Sequence, residues 1–139
     1  MLKPTIVSHE EFLSQRKQLQ LSGKTEGPVG TTSMVPLIQP GEYIRIEPLS
    51  DPLVPFDVIV FWASQKLVCH FIWSINTLTG IDDKRTYNTR GLQTDSFDLP
   101  VPEENILGIV VSHKIPMGLR FRVLALDWWK KKTGRGDRI

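Results

Sequence analysis

The chain has 139 residues, 40% of them hydrophobic and 23% charged, which is the composition of one ordinary folded domain and excludes wholesale disorder. Seventeen basic and fifteen acidic residues leave a net charge of +2, too small to imply a nucleic-acid partner. Cys69 is the only cysteine, so an internal disulfide and a multi-cysteine zinc site are both excluded. No apolar run approaches the roughly 18 residues of a membrane span, and Met1 to Phe12 lacks the apolar stretch of a secretory signal. The expectation is a cytoplasmic domain, with peripheral membrane contact as the alternative.

In chain order, Ser8 to Leu21 predicts a short helix. Ser8 followed three residues later by Glu11 has the form of a capping box, and Phe12, Leu13, Leu19 and Leu21 give a ragged apolar stripe. Gly23, Gly27, Pro28 and Gly30 predict a break in regular structure. Residues 1–30 therefore read as an N-terminal helical arm and loop.

Strands follow. Tyr43 to Glu47 alternates as a half-exposed strand does, whereas Val58 to Ala63 is almost wholly apolar and predicts a strand covered on both faces. Leu67 to Trp73 is similar, and the short link from Ala63 to Lys66 predicts a hairpin. Thr86 to Thr89 and Ile106 to Ser112 are further candidates, punctuated by Pro40-Gly41, Asp51-Pro52 and Pro100 to Pro102. Short strands with long loops predict a mainly β fold, a small antiparallel barrel-like domain over residues 31–118. Asp82, Asp83, Lys84 and Arg85 read as a solvated loop.

Residues 119–139 change character. Leu124, Leu126, Trp128 and Trp129 precede Lys130, Lys131 and Lys132, and from Trp128 onward the chain is net +4. The segment reads as a last core element, helical in one reading, with a solvated basic tail. The alternative is a peripheral anchor, with indoles at headgroup level and Lys130, Lys131 and Lys132 on anionic lipid.

Among groups that could do chemistry, His9 lies in the polar arm, His113 at a strand end and His70 inside an apolar run between Cys69 and Phe71. A histidine in a buried strand is either a core residue with a backbone partner or a functional base. Ser33 follows Gly30-Thr31-Thr32 and precedes Pro36, which removes one backbone donor from the path out. A serine nucleophile needs an exposed oxygen, backbone N–H groups for an oxyanion, and a base.

These residues carry a resemblance. Thr32-Ser33-Met34-Val35-Pro36, running on to Gly41-Glu42, resembles the Ser-Met-x-Pro-x-(4)-Gly-Asp segment of the type I signal peptidase superfamily, which includes the LexA-like self-cleaving repressors. Phe56-Asp57-Val58-Ile59-Val60-Phe61 resembles its Gly-Asp-Val-Val-Val-Phe strand. Val68-Cys69-His70-Phe71-Ile72 is similar to the Val-His-Arg-Val strand of the branch that uses histidine where others use lysine. Asn88-Thr89-Arg90-Gly91, with Asp98 seven residues after Gly91, resembles the Thr-Lys-Gly-Asp-Asn-Asn-x-x-Asp-Asp box, and Pro102 to Val110 resembles the closing strand. The likeness covers about residues 31–111, in the family's order. It departs at Glu42, Phe56, Phe71, Leu92 and Thr94, positions that shape turns and brace the loop.

The resemblance implies a serine endopeptidase needing neither metal nor cofactor. Ser33 would be the nucleophile, His70 the general base and Asp98 the carboxylate that orients it, preferred to Asp95 by its spacing. The Ser33 N–H and the Thr31 hydroxyl would hold the oxyanion, while Pro36 would contact substrate and Met34 would be a substrate-pocket wall or a packing residue. A histidine base must be neutral to take the serine proton, so activity should be lost on acidification. The implied partner is a peptide or protein precursor lying as an added β-strand, with small residues such as alanine near the cleavage site. The altered turn residues motivate a second reading, a catalytically inactive peptide-binding relative. A self-cleaving regulatory domain is a third, although no Ala-Gly pair and no helix-turn-helix precede Ser33.

Overall fold

A computed structural model describes residues 6–50, 52–78, 84–93 and 96–132, the side chains of Leu78, Lys131 and Lys132 excepted. The protein is mainly β: among the described residues, seven antiparallel strands form one sheet, with one α-helix before them and one after. The elements are α1 (His9–Ser22), β1 (Thr25–Pro28), β2 (Tyr43–Glu47), β3 (Val58–Ala63), β4 (Lys66–Leu78), β5 (Lys84–Arg90), β6 (Val101–Pro102), β7 (Ile106–Val110) and α2 (Met117–Lys132). The sheet order is β1-β2-β7-β3-β4-β5-β6. The expected barrel is not closed among the described residues, because the outer strands β1 and β6 do not pair with each other.

The capping box forms. Ser8 Oγ accepts from the Glu11 N–H and Glu11 Oε1 accepts from the Ser8 N–H, and Gly23 ends the helix in the left-handed region at φ 85°. The arm is firmly attached. Phe12 and Leu19 are buried, Phe12 stacks on Trp62, and the Trp62 indole N–H donates to the Val7 carbonyl at 2.7 Å. His9 tilts over the same indole ring at 5.0 Å.

The expected break after Gly23 is overturned for Thr25–Pro28, which pairs with β2 in register from Thr25↔Ile46 to Pro28↔Tyr43. Gly27 and Pro28 are tolerated because β1 is an edge strand, where a missing N–H need not face a partner. Lys84 and Arg85 are exposed but belong to β5 rather than to a loop, while Asp82 and Asp83 lie outside the described residues.

Strand β3 is covered on both faces. Val58 and Val60 join a core with Phe12, Met34 and Val123, while Ile59 and Phe61 join a second core with Ile72, Tyr87 and Ile106. Ser64 and Gln65 both take positive φ, 51° and 61°, the geometry of a two-residue hairpin turn into β4. Strand β4 is longer than the sequence predicts and changes partner along its length. Lys66 to Phe71 pairs with β3, and β5 joins only from Phe71 onward. Between Lys66 and His70 one edge of β4 therefore has no strand beside it among the described residues.

Candidate active site

That open half of β4 faces the first strand of the sheet. A cleft of about 500 Å³ runs between Lys66–His70 on one side and Gly27–Thr31, with Ser33, on the other. Its apolar lining includes Ile44, Ile46 and Val60 from the sheet and Val7 from the arm. The sheet coils enough to bring β1 and β4, first and fifth in its order, to a common groove.

Ser33 is held in place by its neighbours. Met34 and Ile38 are fully buried anchors, and the turn closes through Val35 N–H to Thr32 O and Ile38 N–H to Met34 O. From the other side, the Leu92 and Gln93 N–H groups donate to the Ser33 carbonyl at 2.7 and 3.1 Å. The Ser33 hydroxyl lies 3.2 Å from Thr31 Oγ1, and its own N–H has no hydrogen-bond partner among the described residues.

His70 ends the open half of β4, its side chain mostly buried at 13% exposure. Its Nδ1 lies 2.6 Å from Asp98 Oδ2. Asp98 is held in turn by Thr89, whose buried hydroxyl donates to the same carboxylate oxygen at 2.7 Å, while the Asp98 N–H donates to Thr89 O. Burial pushes the Asp98 carboxyl up, but the hydrogen bonds from His70 and Thr89 outweigh it and hold the carboxyl below its ordinary range. An ionised Asp98 accepts from Nδ1–H, and in a neutral imidazole Nε2 is then the acceptor.

Gly91 shows where Nε2 points. A Cβ built there would lie 3.1 Å from Ser33 Cβ and 3.3 Å from His70 Nε2, so Ser33 and the free imidazole nitrogen flank one narrow gap. Their side chains are not hydrogen-bonded to each other; Ser33 instead bonds Thr31.

Other expected site residues fall elsewhere. Met34 is fully buried in the core, Pro36 is exposed, and neither lines the cleft. Asp95 lies outside the described residues. Cys69 lines the cleft, but burial pushes its thiol up to about 12, so it stays protonated at neutral pH. His113 bonds Ser112 Oγ through Nδ1 at 2.7 Å and pairs with Glu42 through Nε2 at 3.1 Å, bracing the corner at Gly41-Glu42.

The sequence reading passed over Thr89 and Val7. Thr89 lies inside the quoted box, but it stands nine residues from Asp98 and only the fold brings its hydroxyl to that carboxylate. Val7 gave no signal, because only the docking of the arm brings it to the cleft. No protein-family model matches this chain, and no curated protein matches it.

Proposed function

We propose that the protein is a serine endopeptidase with a signal-peptidase-like fold, using Ser33 as nucleophile, His70 as general base and Asp98 as the orienting carboxylate. One observation carries this reading: His70 is anchored through Nδ1 to Asp98 and turns Nε2 toward the gap that Ser33 borders. The motif order along residues 31–111 supports it independently.

In the proposed reaction the Ser33 hydroxyl turns from Thr31 to His70 and attacks the peptide carbonyl carbon while Nε2 takes its proton. The oxyanion forms beside the Ser33 N–H, with the Thr31 hydroxyl as the second donor; one such donor is worth about 2.7–4 kcal/mol of barrier. The imidazolium then protonates the departing amine, and water, deprotonated by the same nitrogen, releases the acyl group. The substrate lies extended between the open edges of β1 and β4, held by backbone hydrogen bonds as an added strand. The aliphatic lining of the cleft suits small apolar side chains.

The Ser33–Thr31 contact favours one alternative, a peptide-binding module that keeps the fold without turnover. Incubation with a mixed peptide library, read by mass spectrometry, distinguishes the two. Cleavage that disappears in Ser33→Ala and falls by roughly two to four orders of magnitude in His70→Ala supports the peptidase. Equal peptide binding by wild type and Ser33→Ala, with no cleavage by either, supports the module.

A further inference from the structure

Among the described residues, helix α2 packs on the domain through Leu119, Arg120 and Val123. Val123 is buried in the core, Leu119 packs against the same cluster, and the Arg120 guanidinium lies 5.3 Å over the Phe56 ring. Met117, Phe121, Leu124 and Trp128 follow one another at steps of four, three and four residues, which places them on a single stripe. That stripe faces away from the core: Met117 is 61% exposed, Phe121 65%, Leu124 45% and Trp128 59%. Trp129 beside it is 60% exposed. Two exposed indoles and an exposed phenylalanine on one helix make a continuous apolar surface, the kind that marks an interaction site.

Charge indicates what covers it. From Met117 to Ile139 the sequence has seven basic and two acidic residues, a net +5, while the rest of the chain is net −3. A second copy would bring +5 against +5 if the same stripes met, so self-association through this face is opposed. An anionic lipid surface attracts the segment and repels the body, which orients the domain with α2 downward. The indoles next to Lys130 suit the headgroup boundary, and Phe121, Leu124 and Met117 suit the upper acyl region.

We propose that α2 docks the protein on anionic membranes, lying in the interface with its Met117–Phe121–Leu124–Trp128 stripe in the lipid. No helix of the described residues is long and apolar enough to cross a membrane, so the contact is peripheral. The proposal does not depend on the peptidase reading.

The test is sedimentation of the full chain with vesicles of mixed phosphatidylglycerol and phosphatidylcholine, against phosphatidylcholine alone, with tryptophan emission recorded in parallel. Binding to the anionic vesicles alone is expected, with a blue shift and weakening in high salt. Replacing Lys130, Lys131 and Lys132 together by glutamine should weaken binding about a hundredfold, at about 1 kcal/mol per lysine near the surface. Phe121→Glu, at an exposed position, should abolish the blue shift while leaving the thermal melt unchanged; Ser33→Ala should bind as wild type does. Absence of binding to anionic vesicles overturns the proposal. So does a concentration-dependent dimer lost in Phe121→Glu, which would assign the stripe to a second copy. Equally tight binding of polyglutamate, indifferent to Phe121→Glu, would show charge attraction alone and also overturn it.

Discussion

Gly91 lies so close to Ser33 that a Cβ there would sit 2.7 Å from the Ser33 carbonyl oxygen. The obstructing atom is backbone, itself held by the Leu92 and Gln93 N–H groups, so it cannot move aside cheaply. Gly91→Ala should therefore displace the Ser33 turn from His70. We expect a stability loss of about 1–3 kcal/mol by denaturant titration, the range for overpacking a tight site. Any peptidase turnover should fall by more than the folded fraction explains.

Thr89 holds the Asp98 carboxylate through its hydroxyl. Thr89→Val keeps the shape and removes the hydroxyl that donates to Asp98. The loss should be about 1.5–3 kcal/mol, the range for a hydrogen bond to a charged group, measured by urea unfolding at neutral pH. Thr89→Ser, which keeps a donor, should recover most of it.

Acid stability follows from Asp98. Its folded carboxyl is held below the ordinary range by His70 and Thr89 against the opposing effect of burial. A lowered folded value means stabilisation that is fully present above the ordinary carboxylate range and lost as pH falls through the lowered value. Glu42, lowered first by the Gln39 N–H and then by His113, acts in the same direction. Unfolding free energy should thus decline on acidification, with a shallower decline in Asp98→Asn. An unchanged slope in that variant would remove Asp98 as a cause.

Arg90 should matter through Phe97. The Arg90 guanidinium sits 5.7, 4.9 and 5.8 Å from the ring centres of Phe71, Trp73 and Phe97, and Phe97 immediately precedes Asp98. Arg90→Leu removes the cation from this aromatic cluster, a contribution of about 0.5–2 kcal/mol. The loss should appear in thermal melts, with greater solvent access at Phe97 by hydrogen exchange of its neighbours.

The N-terminal arm is a structural part of the domain. Phe12 is fully buried against Trp62, so Phe12→Ala should cost about 3–5 kcal/mol, seen as a lowered denaturant midpoint. Leu21→Ala, 80% exposed on the same helix, should be nearly silent.

Local rules were legible in the linear chain because they act between near neighbours. Ser8 and Glu11 cap α1, the alternation in Tyr43 to Glu47 makes β2, and the apolar run from Val58 makes a strand covered twice. Strand β1 was hidden by Gly27 and Pro28, whose local preference is overridden by pairing with β2 some twenty residues away. The motifs around Ser33, His70 and Asp98 could be read, but not the role of Thr89 or the closeness of Gly91 to Ser33. Met34 could be read as a packing residue or a pocket wall, and the fold decided for the core. Those outcomes depend on which face of a coiled sheet meets which loop. Likewise, sequence composition placed Trp128, Trp129 and the lysines at the end of the chain. Only the packing of α2 through Leu119 and Val123 decided that the opposite stripe stays outside the core, because one helix side can be buried against this core and the other cannot.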